Sequence, residues 1–399
     1  MKTEQVEASK VFRAEKRARR KKIHILYLIP SLQTGGAEIQ LLSLVNGLDK
    51  QQFDVTVAVF YRRGDLGREF ESVKDIRIVY LEKKNGFDFF FLRNLADLLH
   101  NDYFDVIQSY NVSARIIGLF FGRFYGVPHS ILTERNARPV YSSPGSRCYF
   151  FLENRFFRHA DLVVANSMAG KNFVMSRKTP EDKTRVIFNG VDEQRIRITR
   201  PADKVRKELG INGCAPVVGM VARMVPQKDH ETFFKAAKII AGKYPDAHFL
   251  LIGDGPELTR MKVLAKRLAI DASVSFLGNR PDVANFVNLF DVVLLTSQKS
   301  EGCSNALIEA MMLGKPVVAT RVAGNEDFIQ HGTNGFLVRP RHPEDLAELT
   351  IRLLGDKALR LRIGRCAKEM AVSEFSQEQM VKRYEQTYFN LIGKHRRHD

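Results

Sequence analysis

The chain has 399 residues, 44% of them hydrophobic and 27% charged, and a formal charge of +17. That length implies two domains, and the composition is that of a soluble globular protein. No apolar run approaches the ~18 residues of a membrane-spanning helix, and four scattered cysteines (Cys148, Cys214, Cys303, Cys366) exclude a disulfide framework and a zinc site.

The cysteine pattern points to a reducing, cytoplasmic setting, and the basic start lacks the apolar core of a secretory signal. The positive charge leaves three partner classes: nucleic acid, an anionic membrane face, or an anionic small substrate. Part of it is concentrated in residues 1–22, where Lys10, Arg13, Lys16, Arg17, Arg19, Arg20, Lys21 and Lys22 crowd together. Such a run is either a solvated tail or an anchor to a bilayer surface.

Residues 23–192 read as a first domain. Ile23 to Ile29 is a strand, and Gly35-Gly36 marks its handover to a helix through Leu48, where glycine lets a backbone approach a ligand. Val55 to Phe60 and Ile76 to Leu81 are strands, Phe90 to Leu99 a helix, and Val106 to Ser109 a strand. Ser130 to Thr133 continues the sheet and ends in Glu134-Arg135-Asn136. The aromatic stretch Tyr149 to Phe157 has one helix face (Leu152, Phe156, Phe157, Ala160) suited to packing on that sheet. Leu162 to Ala165 and Val186 to Phe188 complete the half, and Asn189-Gly-Val-Asp192 is a turn. Strand and helix alternating with short connections means a parallel sheet covered on both faces.

The polar run 193–213 reads as a linker, and the pattern restarts over residues 214–372. Pro216 to Ala222 is a strand ended by Arg223, with Lys228 five residues on. A helix over Thr232 to Ala241, the strand His248 to Ile252, Gly253-Asp-Gly-Pro256 and a helix over Leu258 to Leu268 follow. Val274 to Leu277 leads to Gly278-Asn-Arg280. Asp291 to Thr296 is a buried strand, and Ala306 to Leu313 a helix capped by Ser304 or Asn305 and closed by Gly314. Pro316 to Ala319 and Gly335 to Val338 close the second sheet, and helices over Pro343 to Leu354 and Leu359 to Val372 end the domain. Residues 373–399 hold a last amphipathic helix, with Ser376 and Gln379 as a capping box, and a basic tail.

Doubly wound sheets bind ligands at the carboxyl ends of their strands. Arg223, Lys228 and the Glu301 loop therefore share the second domain's crevice. A guanidinium and an ammonium beside a helix start suit a diphosphate, unless they are ordinary surface charges. Glu309, inside the helix, can accept hydrogen bonds from a ribose diol, unless it only balances the helix dipole. Glu301 can do the same for a sugar, or be a solvated loop residue.

Together, Gly35-Gly36-Ala37-Glu38, Asn189-Gly-Val-Asp192, Arg223 with Lys228, Gly253-Asp-Gly-Pro256, Phe276-Leu-Gly278, the Glu301 and Glu309 pair and Asn334-Gly335-Phe336 resemble the retaining nucleotide-sugar glycosyltransferases of family 4 (glycosyl transferases group 1). The resemblance spans roughly residues 23 to 392. It implies the α/β GT-B fold: two Rossmann-like doubly wound domains facing across a cleft, with the C-terminal helix crossing back to the first. It implies catalytic roles for Arg223, Lys228 and Glu301. Arg223 and Lys228 would hold the donor's diphosphate, Glu309 its ribose, and Glu301 the transferred sugar beside the N–H groups of Cys303, Ser304 and Asn305. Gly35 and Gly36 would close over the phosphates, and Gly253, Gly278 and Arg280 would complete the donor site beside the base. Where many members carry a histidine in the first domain, this chain has Thr133-Glu134-Arg135-Asn136, so Glu134, Arg135 and Asn189 are the candidate sugar or acceptor contacts.

The implied reaction moves a hexose or N-acetylhexosamine from a UDP- or GDP-linked donor to a glycan or lipid-linked acceptor at the cytoplasmic membrane face, with no cofactor or metal. No Asp-x-Asp pair is present. Two rivals are a phosphorylase or sugar-nucleotide epimerase of the same fold, and a nucleic-acid-binding protein. Against the last, no helix-turn-helix, zinc-finger or aromatic-basic RNA motif is found, and no nucleic acid is expected as a partner.

Overall fold

The computed structural model describes residues 21–86, 88–135, 151, 154, 157–299 and 301–395. They fall into two compact units, Met1–Gly190 with Met380–Asp399, and Val191–Gln379.

In the first unit, β1 (Ile23–Ile29), β2 (Phe53–Val59), β3 (Ile76–Tyr80), β4 (Val106–Tyr110), β5 (His129–Glu134), β6 (Leu162–Ala165) and β7 (Thr184–Val186) form one sheet, in the order β3-β2-β1-β4-β5-β6-β7. Every pairing is parallel; Ile25 of β1 lies beside Val55 on one side and Val106 on the other. Helices α1 (Gly36–Gly47), α2 (Gly67–Glu71), α3 (Phe91–Asn101), α4 (Val112–Phe124) and α5 (Met168–Ser176) are the connections. The central strand shows why its sequence is apolar throughout. Ile25, Tyr27 and Ile29 face Leu41, Leu44 and Val45 of α1, while Leu26 and Leu28 face Leu95, Leu98 and Leu99 of α3. A strand covered on both faces has no polar side to show.

The second unit repeats the plan with β8 (Val217–Val221), β9 (His248–Ile252), β10 (Val274–Phe276), β11 (Val292–Leu295), β12 (Val317–Thr320) and β13 (Phe336–Val338), in the order β10-β9-β8-β11-β12-β13. Its helices are α6 (Ala202–Glu208), α7 (His230–Lys243), α8 (Leu258–Arg267), α9 (Val283–Val287), α10 (Asn305–Met312), α11 (Pro343–Gly355) and α12 (Lys357–Phe375).

Residues 193–213 are a correction to the linker reading. They belong to the second unit and contain α6, whose Val205 is fully buried. The buried carboxamide of Asn285 fixes the segment, accepting the backbone N–H groups of Thr199 and Arg200 at 2.8 and 3.0 Å. Polarity hid this, because a helix with one inward apolar side chain gives no periodic signal. Of the aromatic stretch 149–157, Phe157 and the following Ala160 do pack as expected, with Leu119, Leu132, Val163 and Val174. Leu152 and Phe156 lie outside the described residues.

The last helix, α13 (Gln377–His395), starts at Ser376, whose hydroxyl accepts the Gln379 N–H at 3.3 Å. Met380, Val381, Tyr384, Tyr388 and Ile392 complete the first unit's core. The Tyr388 hydroxyl donates to Gln108 Oε1 at 2.7 Å and lies 2.8 Å from the Tyr27 hydroxyl. With its one proton given to Gln108, Tyr388 must accept from Tyr27. Tyr388→Phe leaves two buried groups without that partner, so it should lower unfolding stability by about 1–3 kcal/mol in urea titration.

Candidate active site

The strand order of the second sheet reverses between β8 and β11, and the loops leaving those two strands flank one crevice. Arg223 and Lys228 follow β8; Glu301 follows β11 and leads into α10. Side chains at the end of β11 dock the loops together. The buried Thr296 hydroxyl lies 2.8 and 2.9 Å from the carbonyl oxygens of Lys228 and Asp229, and the Gln298 N–H donates to the Gln227 carbonyl at 3.0 Å. Asp229 takes a left-handed conformation (φ 48°) and caps α7, accepting the Thr232 hydroxyl at 2.7 Å. The Lys228 turn is thus held at both ends, and its ammonium lies 2.6 Å from Glu301 Oε1, which also accepts the Ser297 hydroxyl. Next to Lys228, burial and that ammonium lower the His230 imidazole to about 4, so it is neutral at physiological pH.

Glu301 is braced from behind. Gly324 has φ 98°, and a Cβ there would lie 2.3 Å from the Glu301 carbonyl oxygen and 2.2 Å from that of Gly302. Thr320 donates to the Ser297 carbonyl at 2.7 Å, and Asn325 to the Thr320 carbonyl at 2.9 Å. On the β8 side, Gly253 presses against the Arg223 loop: its Cβ would lie 2.1 Å from the Ala222 carbonyl oxygen, and its N–H donates to the Gly278 carbonyl at 2.8 Å.

Arg223 is exposed, and among the described residues no hydrogen bond or ion pair holds its guanidinium. Arg280 is engaged instead, bidentate on Asp282 at 3.0 and 3.2 Å with its guanidinium 4.8 Å from the Phe286 ring centre. Cys303 and Ser304 are buried at the start of α10, and Ser304 makes no side-chain cap. The positive end of α10 therefore adjoins Glu301 without a capping hydroxyl. Glu309 sits one turn further in, its side chain 12% exposed and 3.2 Å from the Arg195 guanidinium. Burial raises its pKa and Arg195 opposes the rise. The structure thus gathers Arg223, Lys228, Gly253, Gly278, Arg280, Glu301, Cys303, Ser304, Asn305 and Glu309 on the loops and the helix at this end of the sheet.

In the first unit the reversal falls between β1 and β4. Gly35 is the N-cap of α1 and Gly36 its exposed first residue. A Cβ on Gly35 would lie 2.4 Å from Glu38 Oε2, so the glycine makes room for that carboxylate. Burial raises the Glu38 pKa, while the Asn111 side chain and the Arg135 charge lower it. Asn111, between β4 and α4, has φ 68°, a conformation costly for a non-glycine residue. The Arg135 guanidinium donates to the Asn189 carboxamide. Arg135 and Asn189 are therefore together, with Glu38 and Asn111 beside them.

Glu134 is a correction to the expected contacts. It is 0% exposed, and its carboxylate lies 2.8 Å from the buried Arg115 guanidinium. Burying two charges is tolerable only as such a pair. Arg135, just past the end of β5, is half-buried and turns instead to Asn189.

The chain resembles known proteins over most of its length. Residues 34–195 match the family described as Glycosyltransferase Family 4, and residues 201–370 match Glycosyl transferases group 1. The chain belongs to the family 4-like GT-B glycosyltransferases. N-acetyl-alpha-D-glucosaminyl L-malate synthase of Bacillus anthracis is 32% identical over 58% of this chain and 60% of its own length. The first curated relatives it matches are spanned over only 60–64% of their length. The Escherichia coli UDP-Gal:alpha-D-GlcNAc-diphosphoundecaprenol alpha-1,3-galactosyltransferase is 25% identical over 89% of this chain and 97% of its own. Among solved structures, Anabaena HepE in complex with UDP-glucose has a TM-score of 0.80 at 26% identity, covering 92% of this chain and 99% of that one.

Sequence reasoning missed three parts of these sites in the GT-B chain. Arg195 lay in the supposed linker, Asn111 carried no turn signal, and Gly324 acts only by leaving room for Glu301. Gly324→Ala should displace the Glu301 backbone. The expected result is a loss of about 2 kcal/mol in urea denaturation, because the added methyl meets the Glu301 and Gly302 carbonyls.

Proposed function

We propose that this protein is a retaining glycosyltransferase that moves a hexose or N-acetylhexosamine from a nucleoside-diphosphate sugar to a glycan or lipid-linked acceptor. The observation that carries this reading is the second unit's crevice, where an unengaged guanidinium, an ammonium and a helix start meet two carboxylates. Arg223, Lys228 and the first turn of α10 would bind the diphosphate, and Glu309 the ribose hydroxyls. Glu301, oriented by Ser297 and Lys228, would hold the sugar. The bond between the anomeric carbon and the β-phosphate oxygen breaks, and negative charge grows on that oxygen where the cations are fixed. An acceptor hydroxyl attacks the oxocarbenium-like carbon from the face the phosphate leaves, and its proton passes to the departing phosphate. Charge neutralisation is assigned to protein cations and helix N–H groups, without a metal. In the first unit, Arg135, Asn189, Glu38 and Asn111 offer the polar groups a hydroxylated acceptor needs.

The UDP-linked donors named for the Anabaena and E. coli relatives make uridine nucleotides the first to test. A panel of UDP- and GDP-sugars should contain one that raises the melting temperature, and the product should keep the donor's anomeric configuration by NMR. Glu309→Gln is the discriminating variant. Because burial disfavours the Glu309 carboxylate, the neutral amide should leave the unliganded protein as stable as before, yet weaken the stabilising nucleotide sugar about ten- to a hundredfold. Undiminished binding would remove Glu309 from the donor site.

We further propose that the protein works at the cytoplasmic membrane face, with residues 1–22 drawn to anionic lipid. No helix among the described residues is long and apolar enough to cross a membrane. Anionic vesicles should co-sediment the protein at low salt and release much of it at high salt. Equal capture by neutral vesicles would retire the electrostatic anchor.

A further inference from the structure

Helix α4 turns its bulk outward. Ala114, Gly118 and Gly122, spaced four apart, are the face it presses on the sheet. A Cβ on Gly118 would lie 2.1 Å from Ser109 Oγ, and one on Gly122 2.9 Å from Ile107 Cγ2. So close an approach leaves no space beneath the helix for large side chains. Leu119 is buried on one flank beside Phe157, and Phe121 packs on the other against the α3 side. Phe120 and Phe124, one turn apart, are left 61% and 74% exposed. Their rings lie 5.9 Å from Phe121 and 5.2 Å from Tyr125, and those two stack at 6.2 Å, so four rings are continuous.

The charged side chains of α4 itself are both arginines, Arg115 and Arg123. The helix sequence Val-Ser-Ala-Arg-Ile-Ile-Gly-Leu-Phe-Phe-Gly-Arg-Phe holds no acid. Arg123 is exposed and reaches the His159 carbonyl at 3.5 Å, which places the exposed Arg158 and His159 nearby. A solvated helix face normally carries charged and polar residues, and a contiguous exposed aromatic patch is normally covered by something. Phenylalanines bordered by arginines fit the boundary between acyl chains and anionic headgroups. A second copy fits worse, because a two-fold contact would set Arg123 and Arg158 against their own equivalents.

We propose that the outward face of α4 is a membrane-docking surface, with Phe120 and Phe124 inserted into the bilayer interface and Arg123 and Arg158 at the level of anionic headgroups. It acts separately from residues 1–22. The extension attracts at long range and is screened by salt, whereas buried rings resist salt.

The chain has no tryptophan, so Phe124→Trp installs a single reporter at an exposed site. Val263→Trp, also at an exposed position (60%) but on α8 of the second unit, is its control. The full chain is mixed with vesicles of phosphatidylcholine and phosphatidylglycerol whose acyl chains are brominated or not. The expected result is a blue shift and severalfold quenching by brominated chains for Phe124→Trp, and neither for Val263→Trp. The doubly substituted Phe120→Ser, Phe124→Ser protein should keep its low-salt capture and lose roughly tenfold or more of its binding at high salt. An unquenched, unshifted Phe124→Trp on sedimented vesicles overturns the proposal. So does a dimer in lipid-free buffer that Phe120→Ser dissolves, because the face would then belong to a second copy. Melting-temperature shifts with nucleotide sugar, measured on the same variants, report folding and the donor site separately, so failure of one reading leaves the other standing.

Discussion

The contact on which the second unit's crevice depends is the ion pair between Lys228 and Glu301. Lys228 ends a short 3-10 turn, Pro226–Lys228, and Glu301 sits on an irregular loop. What makes the pair reproducible is the backbone docking beneath it: one buried hydroxyl, Thr296, lies against two successive carbonyls of the lysine turn. An ammonium in water costs conformational entropy to hold in place. Here that cost is met by packing that Lys228 itself does not supply. Pre-arrangement of this kind holds a charge in place with no reorganisation left to make.

Several features of the two crevices are unfavourable to folding. Burial works against the ionised forms of Glu38 and Glu309. Asn111 sits in a conformation that suits glycine, and the imidazole of His230 is kept neutral. Each of these groups is avoidable by a simple substitution, and each lies on the loop or the first turns of the helix that follows a strand. Their placement at the order reversal of each sheet is where a doubly wound fold puts its ligands.

Much of this was legible in the amino-acid sequence. Runs such as Ile23 to Ile29 and Asp291 to Thr296 announce strands buried on both faces, and Ser376 with Gln379 announces the last helix. Arg223, Lys228, Glu301 and Glu309 could be grouped because all four follow strand ends in one half. Three things were out of reach. Helix α4 is apolar nearly all round, so no periodicity marks it. Glu134 and Arg135 are adjacent, and no local pattern tells that the first, ending β5, is buried in an ion pair while the second, just past it, meets Asn189. Gly324 has its effect through the space it leaves, which no local pattern encodes.

The first unit is assembled from two separated stretches of chain, since Met380 onward returns to a core begun at Ile23. During synthesis, therefore, that core stays open while the entire second unit emerges from the ribosome and can fold on its own. Nascent apolar surface over α1 and β1 must wait for Tyr384, Tyr388 and Ile392, which are made only after the whole second unit. The step most exposed to misfolding should thus come late, when α13 seats against a core begun about 350 residues earlier.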